Sequence, residues 1–418
     1  MLLLKTRIIQ VFEWEALCVG EKEFTQRHFD SLVTWQDRQQ DVFFSVGHNK
    51  ITFQQWVGVI QVGQLIIEVL PKVAKGKERL SPTEYADEVK RWKSVLVDML
   101  RKTGRLKVRI TEDTDLAVRQ QSLLDLYFQS YLDEVEHLMH LGLVKKYRRE
   151  ARNRTALKGK LLFQRQAEEN LLHQERFYCE ASEYDRQNVW NEILLAGLRV
   201  TSRMAQDGLL RAKAKNLELS FPDWPDRRFE DKDFDRLRFD RKTKGYEPAM
   251  ILARLILLHL NPQTSAGRDR VVAFLFDMNS LWEDWLLSTY RSSYRGMPDV
   301  RIPGKKSQMF WAAHKGGSKW LETDILLEKD GRTMVLDAKW KRPERHPADD
   351  DLKQMFAYNL MWKSNEAWLV YPKIDGEPDR SGTYSFGEAG RLGMTFVGIF
   401  DETGRHLNKR LSLPKFPE

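Results

Sequence analysis

The sequence predicts a multi-domain α+β protein. A β-rich N-terminal domain is expected over 1–112, a helical middle over 113–265 and a C-terminal domain with a mixed α/β sheet over 266–418. Three observations lead there. A chain of 418 residues has room for two or three domains. A hydrophobic content of 42% supports real cores and argues against disorder. The apolar pattern also changes along the chain. Short runs bounded by turn residues give way to a 3–4 spacing, and then to a hairpin followed by a helix and a strand.

At the start, Lys5–Phe12, Phe43–Val46, Gly58–Gln61 and Gln64–Leu70 have the composition of short strands. Gly63 suits the turn between the last two, and Pro71 closes that hairpin. Ser81–Gly104 reads as a helix, with capping residues and an early proline in Ser81-Pro82-Thr83-Glu84 and a stop at Gly104. Leu106–Ile110 reads as a returning strand. From Thr114 to Leu143, the spacing of Leu116, Leu123, Leu126, Tyr127, Tyr131, Val135 and Leu138 marks a long amphipathic helix. Such a stripe is a core face far more often than a binding surface.

Leu141–Arg165 holds nine Lys or Arg against one acid, Glu150. Contact with DNA phosphates or with an acidic protein face is one reading. A solvated linker or helix face is the plainer one and is favoured, because basic runs are common where no nucleic acid binds. Asn188 and Asn191 precede an apolar helix. Phe221–Gly245, rich in Asp, Arg and Lys with two prolines, reads as an irregular connection. Pro248–Leu260 resumes as a helix, and Asn261–Arg270 reads as a loop.

In the last part, Phe274–Leu286 reads as an apolar helix that includes Glu283. Leu321–Trp340 reads as a β-hairpin about Asp330-Gly331, a strong two-residue turn signal. If the loop is those two residues, Asp324 faces Asp337 and Glu322 faces Lys339. Alternation then puts Asp324, Asp337 and Lys339 on one face and Ile325, Leu327, Met334, Leu336 and Ala338 on the other. A three-residue loop would shift this register by one and spoil the arrangement. Asp350–Trp362 reads as a helix with Gln354 and Tyr358 on one face. Ala367–Tyr371 and Met394–Phe400 read as strands, separated by a turn-rich loop at Pro372–Gly382.

Opposed carboxylates repel, and the usual remedies are a shared proton or a bound cation. Oxygen ligands suit a hard divalent ion such as Mg²⁺, which takes one or two carboxylates together with substrate phosphate. A lysine on the same face can orient a water or stabilise charge developing on a phosphate. The hairpin alone also allows a solvated strand face that happens to include acids and a base.

Composition bounds the rest. Cys18 and Cys179 are the two cysteines, which implies no disulfide framework and suits a reducing cytoplasm. Cys179 has no Cys or His at metal spacing. The start, MLLLKTRIIQ, is too short and too soon charged for a signal peptide. No apolar run reaches the length of a membrane span. The net charge of +8 is compatible with a polyanionic partner.

The pattern Asp324…Asp337-Ala338-Lys339 resembles the D-(D/E)-x-K core of the PD-(D/E)xK nuclease superfamily. Gln354 and Tyr358 resemble the Q-x-x-x-Y helix found in many of these nucleases, and Glu283 matches their helix glutamate. The short motif is degenerate, whereas the ordered set of helix-Glu, hairpin and Gln/Tyr helix is more specific. The proline often found before the first acid is absent, with Thr323 in its place. The resemblance implies that Asp324 and Asp337 ligate Mg²⁺, with Glu283 as an accessory ligand. It also implies that Lys339 is the catalytic lysine and that Gln354 and Tyr358 support it.

A second resemblance covers most of the chain. Trp56–Lys72 (WVGVIQVGQLIIEVLPK), Leu157–Leu162 (LKGKLL) and Tyr184–Gly197 are similar to the McrC family. That likeness implies the DNA endonuclease subunit of a type IV, modified-cytosine restriction complex. Such a subunit binds a ring of McrB-type AAA+ GTPase subunits, inserts its N-terminal part and stimulates GTP hydrolysis. GTP belongs to the partner, as does reading of the modified cytosine in double-stranded DNA. The chain has no Walker A motif of its own, in agreement. A non-catalytic adaptor for the ring, or a stand-alone DNA-repair nuclease, would need the intact D…D-A-K set, or the large N-terminal and helical regions, to serve another purpose.

Overall fold

Strands β1 (Arg7–Phe12), β5 (Trp56–Val62) and β6 (Leu65–Leu70) form where β-branched and apolar residues run together. The computed structural model describes residues 7–72, 81–106, 122–259, 271–312, 314, 316–343, 346–373, 381–385 and 390–414. β5 and β6 form the expected hairpin about Gly63, whose φ of +59° only glycine adopts freely. β1 pairs parallel with β6. The expected strand at Phe43–Val46 is β3 (Phe44–Gly47). It forms a small sheet with β2 (Ala16–Cys18) and β4 (Lys50–Phe53), which were not foreseen; neither was α1 (Gln26–Gln36), capped by Thr25. Leu17, Phe24, Leu32, Phe44, Ile51 and Phe53 join Ile60, Ile67 and Val69 in one core. Helix α2 (Pro82–Lys102) starts at the expected capping box, with Ser81 and Glu84 satisfying each other's backbone N–H groups.

The chain divides into two compact units, Leu124–Thr264 and the remainder. In the first of these, the expected amphipathic helix is α3 (Leu123–Leu141). The expected strand at Leu106–Ile110 falls outside the described residues beyond Leu106, and so does Thr114–Gln121 of the expected helix. The helical reading of this middle part needs a correction. Lys146–Arg154 (β7), Lys160–Leu161 (β8) and Phe177–Asp185 (β9) form a three-stranded sheet, with α4 (Phe163–Glu169) between β8 and β9. The basic run is therefore mostly strand and turn. Three of its nine charges are met by acids on the neighbouring strand: Arg148 pairs with Asp185, and both Arg154 and Lys158 pair with Glu183. Helices α5 (Val189–Met204), α6 (Gly208–Glu218), α7 (Asp231–Asp235) and α8 (Glu247–His259) follow. Asn188 caps α5, and buried Asn191 donates to Val144 O and accepts from Tyr246 OH. Both asparagines thus have a structural task.

The remaining unit is completed by β10 (Val271–Asp277) and α9 (Met278–Ser293). Here the expected helix over Phe274–Leu286 is corrected. Its first four residues are strand, and Asp277 caps the helix that starts at Met278. β10 pairs antiparallel with β5 and so joins the N-terminal sheet, in the order β1-β6-β5-β10. Gly58 permits this. Its φ is +138°, and a Cβ there would stand 2.1 Å from the Phe274 carbonyl oxygen. The expected loop at Asn261–Arg270 lies outside the described residues.

The second sheet of this unit has the order β11-β12-β13-β14-β16-β15. Its strands are β11 (Val300–Ala312), β12 (Ser318–Lys329), β13 (Arg332–Ala338), β14 (Glu366–Lys373), β15 (Gly382–Ser385) and β16 (Arg391–Gly398). β13, β14 and β16 run parallel and the other pairings are antiparallel, which makes a mixed sheet. α10 (Asp349–Trp362) connects β13 to β14. The chain is α+β, as the sequence predicts. Among the described residues no helix is long and apolar enough to cross a membrane.

Candidate active site

The β12–β13 hairpin has the register the sequence predicts. Lys329 pairs with Arg332 and Ile325 with Leu336, around a two-residue turn. Asp330 and Gly331 both have positive φ, +50° and +73°, as a type I′ turn requires. Asp324 and Asp337 thereby come to adjacent strands at the far end of the hairpin, and Asp324 Oδ2 accepts the Ala338 N–H at 2.7 Å. Ile325, Leu327, Leu336 and Ala338 are buried, as expected of the apolar face. The opposite face is covered as well. Leu326 and Val335 pack there with Met355 and Tyr358 of α10. Asp337 is only 1% exposed, so the solvated-strand reading fails. Glu322 does not pair with Lys339; its carboxylate accepts the Ser307 hydroxyl instead.

Burial dominates the electrostatics of this cluster. It raises the pKa of Asp324, and the carboxylates of Asp337 and Glu283 raise it further, to about 8. Burial also pushes Asp337 up, against the opposing pull of Lys339. Lys339 Nζ lies 2.7 Å from Asp337 Oδ2 and meets it as an ion pair, and no donor beyond that ammonium serves this buried oxygen. Burial disfavours the charge on Lys339 as well. Asp337, Asp351 and Asp324 outweigh it, so its pKa is raised and the ammonium stays charged.

Helix α10 holds the lysine. Lys339 Nζ donates to Gln354 Oε1 at 3.1 Å, Gln354 Nε2 donates to Tyr358 OH at 2.6 Å, and Tyr358 OH donates to Glu322 O at 2.6 Å. The i, i+4 spacing of Gln354 and Tyr358 thus makes one hydrogen-bonded chain from the ammonium to the β12 backbone. Asp351 in the first turn of α10 stands 3.7 Å from Lys339 Nζ and 2.6 Å from Lys341 Nζ, and it accepts from Tyr371 OH. Sequence reasoning missed Asp351 and Lys341. Three consecutive aspartates open α10, and nothing in their order says which one turns inward.

Glu283 sits on α9, as expected, but its carboxylate accepts from Lys305 Nζ of β11 at 2.7 Å. Among the described residues no three His, Cys, Asp or Glu side chains gather closely enough to hold one metal ion. The structure therefore brings together Asp324, Asp337, Lys339, Gln354 and Tyr358, while Glu283 is turned to Lys305. The two aspartates still suit a hard divalent cation. They are oxygen donors, buried, mutually unfavourable when both are ionised, and one oxygen has no donor beyond the Lys339 ammonium.

A family model described as a McrBC 5-methylcytosine restriction system component matches residues 51–372. The chain belongs to the McrBC family.

The match runs from before the β5–β6 hairpin to β14 and includes Glu283 and all five clustered residues. The chain also shares its fold with a solved chain of the refined half-complex from a tetradecameric assembly of Thermococcus gammatolerans McrB AAA+ hexamers with bound McrC. The TM-score is 0.65 at 21% identity, covering 96% of this chain and 97% of that one. A chain of the Thermococcus gammatolerans McrBC complex aligns with a TM-score of 0.47 at 22% identity, covering 67% of this chain and 86% of that one. No curated protein matches.

Proposed function

We propose that this member of the McrBC family is the DNA endonuclease subunit of a GTP-dependent, modified-cytosine restriction complex. Residues 266–418 would be its PD-(D/E)xK nuclease domain. The observation that carries this reading is the pair of opposed, buried carboxylates beside a lysine that a second helix holds in place. Asp324 and Asp337 would hold Mg²⁺, with Glu283 as an accessory ligand once released from Lys305. When bound, the cation polarises the scissile phosphate and lowers the pKa of a water. Lys339 stays protonated among three aspartates and steadies negative charge as it develops on the phosphate. Gln354 fixes the ammonium, and Tyr358 ties Gln354 to the backbone of β12. Burial keeps bulk water from screening these charges.

Residues 1–112 are proposed to engage an McrB-type AAA+ GTPase ring in the cytoplasm. The family match and the solved assembly of McrB hexamers with bound McrC support that partner. GTP would be bound by the ring, and the substrate would be double-stranded DNA with modified cytosine. The test is GTP hydrolysis by the cognate ring protein with and without this chain, alongside cleavage of methylated DNA in Mg²⁺. Stimulated hydrolysis together with cleavage is expected. Stimulation without cleavage of any substrate would make the chain an adaptor. Metal-dependent cleavage by the chain alone, without stimulation, would overturn the partner.

A further inference from the structure

The edge of the nuclease-like sheet has a feature that the carboxylate site does not explain. Beyond Thr323, strands β11 and β12 continue as a two-stranded ribbon with solvent on both faces. Gly304–Trp320 contains no Asp or Glu, although 60 of the 418 residues are acidic, and it holds four lysines. Met309, Phe310, Trp311 and Trp320 are all exposed, the two tryptophans at 55% and 61%. Single exposed apolar residues are ordinary, but four on one ribbon mark a contact surface. Cross-strand pairing places Met309 beside Trp320 and Trp311 beside Lys319, with a register shift that leaves Phe310 as the extra residue of a bulge. Lys305 is engaged by Glu283. Among the described residues, Lys306 and Lys319 have no ion-pair partner.

We propose that this ribbon is an arm that grips duplex DNA beside the Asp324–Asp337 site. The choice of partner rests on the nuclease reading. Three observations select DNA over an apolar protein surface. The ribbon is basic, with Glu322 as the one acid at its base and none over Gly304–Trp320, which complements a phosphate backbone. A two-stranded ribbon has the width that the major groove admits. Trp320 lies four residues before Asp324 on the same strand, about 13 Å along it, so a duplex cut at the carboxylates passes the ribbon. Lys306 and Lys319 would take phosphates, while Trp311 and Trp320 pack against sugars and base edges. None of these contacts distinguishes modified cytosine, so the arm adds grip without adding sequence preference.

The test uses the full-length chain and a short fluorescein-labelled duplex, read by anisotropy across a salt series with Ca²⁺ in place of Mg²⁺. Lys306→Ala with Lys319→Ala is expected to weaken binding about tenfold and to reduce the salt slope by about two. Trp311→Ala with Trp320→Ala is expected to weaken binding about tenfold with the slope unchanged. All four positions are exposed, so unchanged melting curves should accompany both losses. Unchanged DNA affinity in both variants would overturn the proposal. If the lysines merely guard a sheet edge, the lysine variant will self-associate in sedimentation while binding DNA normally. If the ribbon joins two copies of this chain, the tryptophan variant will change only the oligomeric state. Both results overturn the arm. Duplex binding through the ribbon by a chain that never cleaves DNA would instead sustain the arm and remove the nuclease reading.

Discussion

Two lysine–carboxylate pairs are buried in the same unit of this molecule, and they are built for different ends. Lys93 of α2 meets Glu68 of β6, which is fully buried. Both Glu68 oxygens accept from Lys93 Nζ, at 3.1 and 2.8 Å; one also accepts the Leu123 N–H and the other the Gln10 amide. Every demand of that carboxylate is met by the protein. Lys339 meets Asp337 under similar burial, yet Asp337 Oδ2 has no donor beyond that ammonium, and a second acid, Asp324, stands alongside. The first pair is complete and fastens a helix to a sheet. The second is incomplete, and a cation with a phosphate would complete it. An unmet carboxylate oxygen alone does not mark a site, because buried Glu13 has one too; what sets the second pair apart is a second buried acid opposed to the first beside one ammonium.

The largest expected effect tests the functional half of that contrast. Lys339→Ala should lower cleavage by roughly a thousandfold, since several kcal/mol of transition-state stabilisation leave with the charge. Its melting temperature should fall less than that of Lys93→Ala, because Lys339 is the more exposed lysine and Asp337, already pushed up by burial, can take a proton in its absence. Lys93→Ala should do the reverse. Leaving Glu68 buried and unpaired should cost about 3–5 kcal/mol in unfolding titrations, without a selective loss of turnover in whatever protein remains folded. If Lys93→Ala proves harmless, the two pairs are not the opposites described.

Next in size is Gln354→Ala, which frees the Lys339 ammonium without removing it. Cleavage should fall about tenfold, mainly in kcat, and Gln354→Glu should recover part of the loss. An effect on KM alone would place Gln354 in substrate binding.

The smallest effect is a pH dependence. Without divalent cation, Asp324 holds its proton up to about pH 8, whereas in the unfolded chain it ionises near its ordinary value of 3.8. Between these values the folded state binds more protons, so stability falls as pH rises through that window. Glu13 contributes with the same sign. Burial raises it to about 8, against hydrogen bonds from the Lys72 N–H and the Trp340 indole. Thermal melts of metal-free protein should therefore show the midpoint falling towards pH 8. Asp324→Asn should flatten that fall, and Mg²⁺ should offset it most at the upper end. Glu13→Gln should flatten a portion that Mg²⁺ leaves unchanged. A fall that Asp324→Asn does not alter would remove Asp324 from this account.

Much of the hairpin was legible because its turn chemistry is restrictive. Asp330-Gly331 selects a two-residue loop, the loop fixes the register, and the register sets Asp324 against Asp337. The Gln354–Tyr358 spacing was legible for the same local reason. The misses were long-range or ambiguous. The apolar run at Val271–Phe276 has no period that separates strand from helix, although Asp277 before Met278 was a cap signal. The basic strand β7 is polar on both faces, so no alternation announced it. The grip of Lys305 on Glu283 joins residues from two elements that the sequence does not show to be neighbours.

The most direct measurement is cleavage of methylated DNA in Mg²⁺ by the cognate GTPase together with this chain, wild type against Asp337→Ala, with GTP hydrolysis followed in the same reactions. Asp337→Ala is expected to abolish cleavage while GTP hydrolysis is stimulated as by the wild type. Cleavage that survives Asp337→Ala would contradict the nuclease reading.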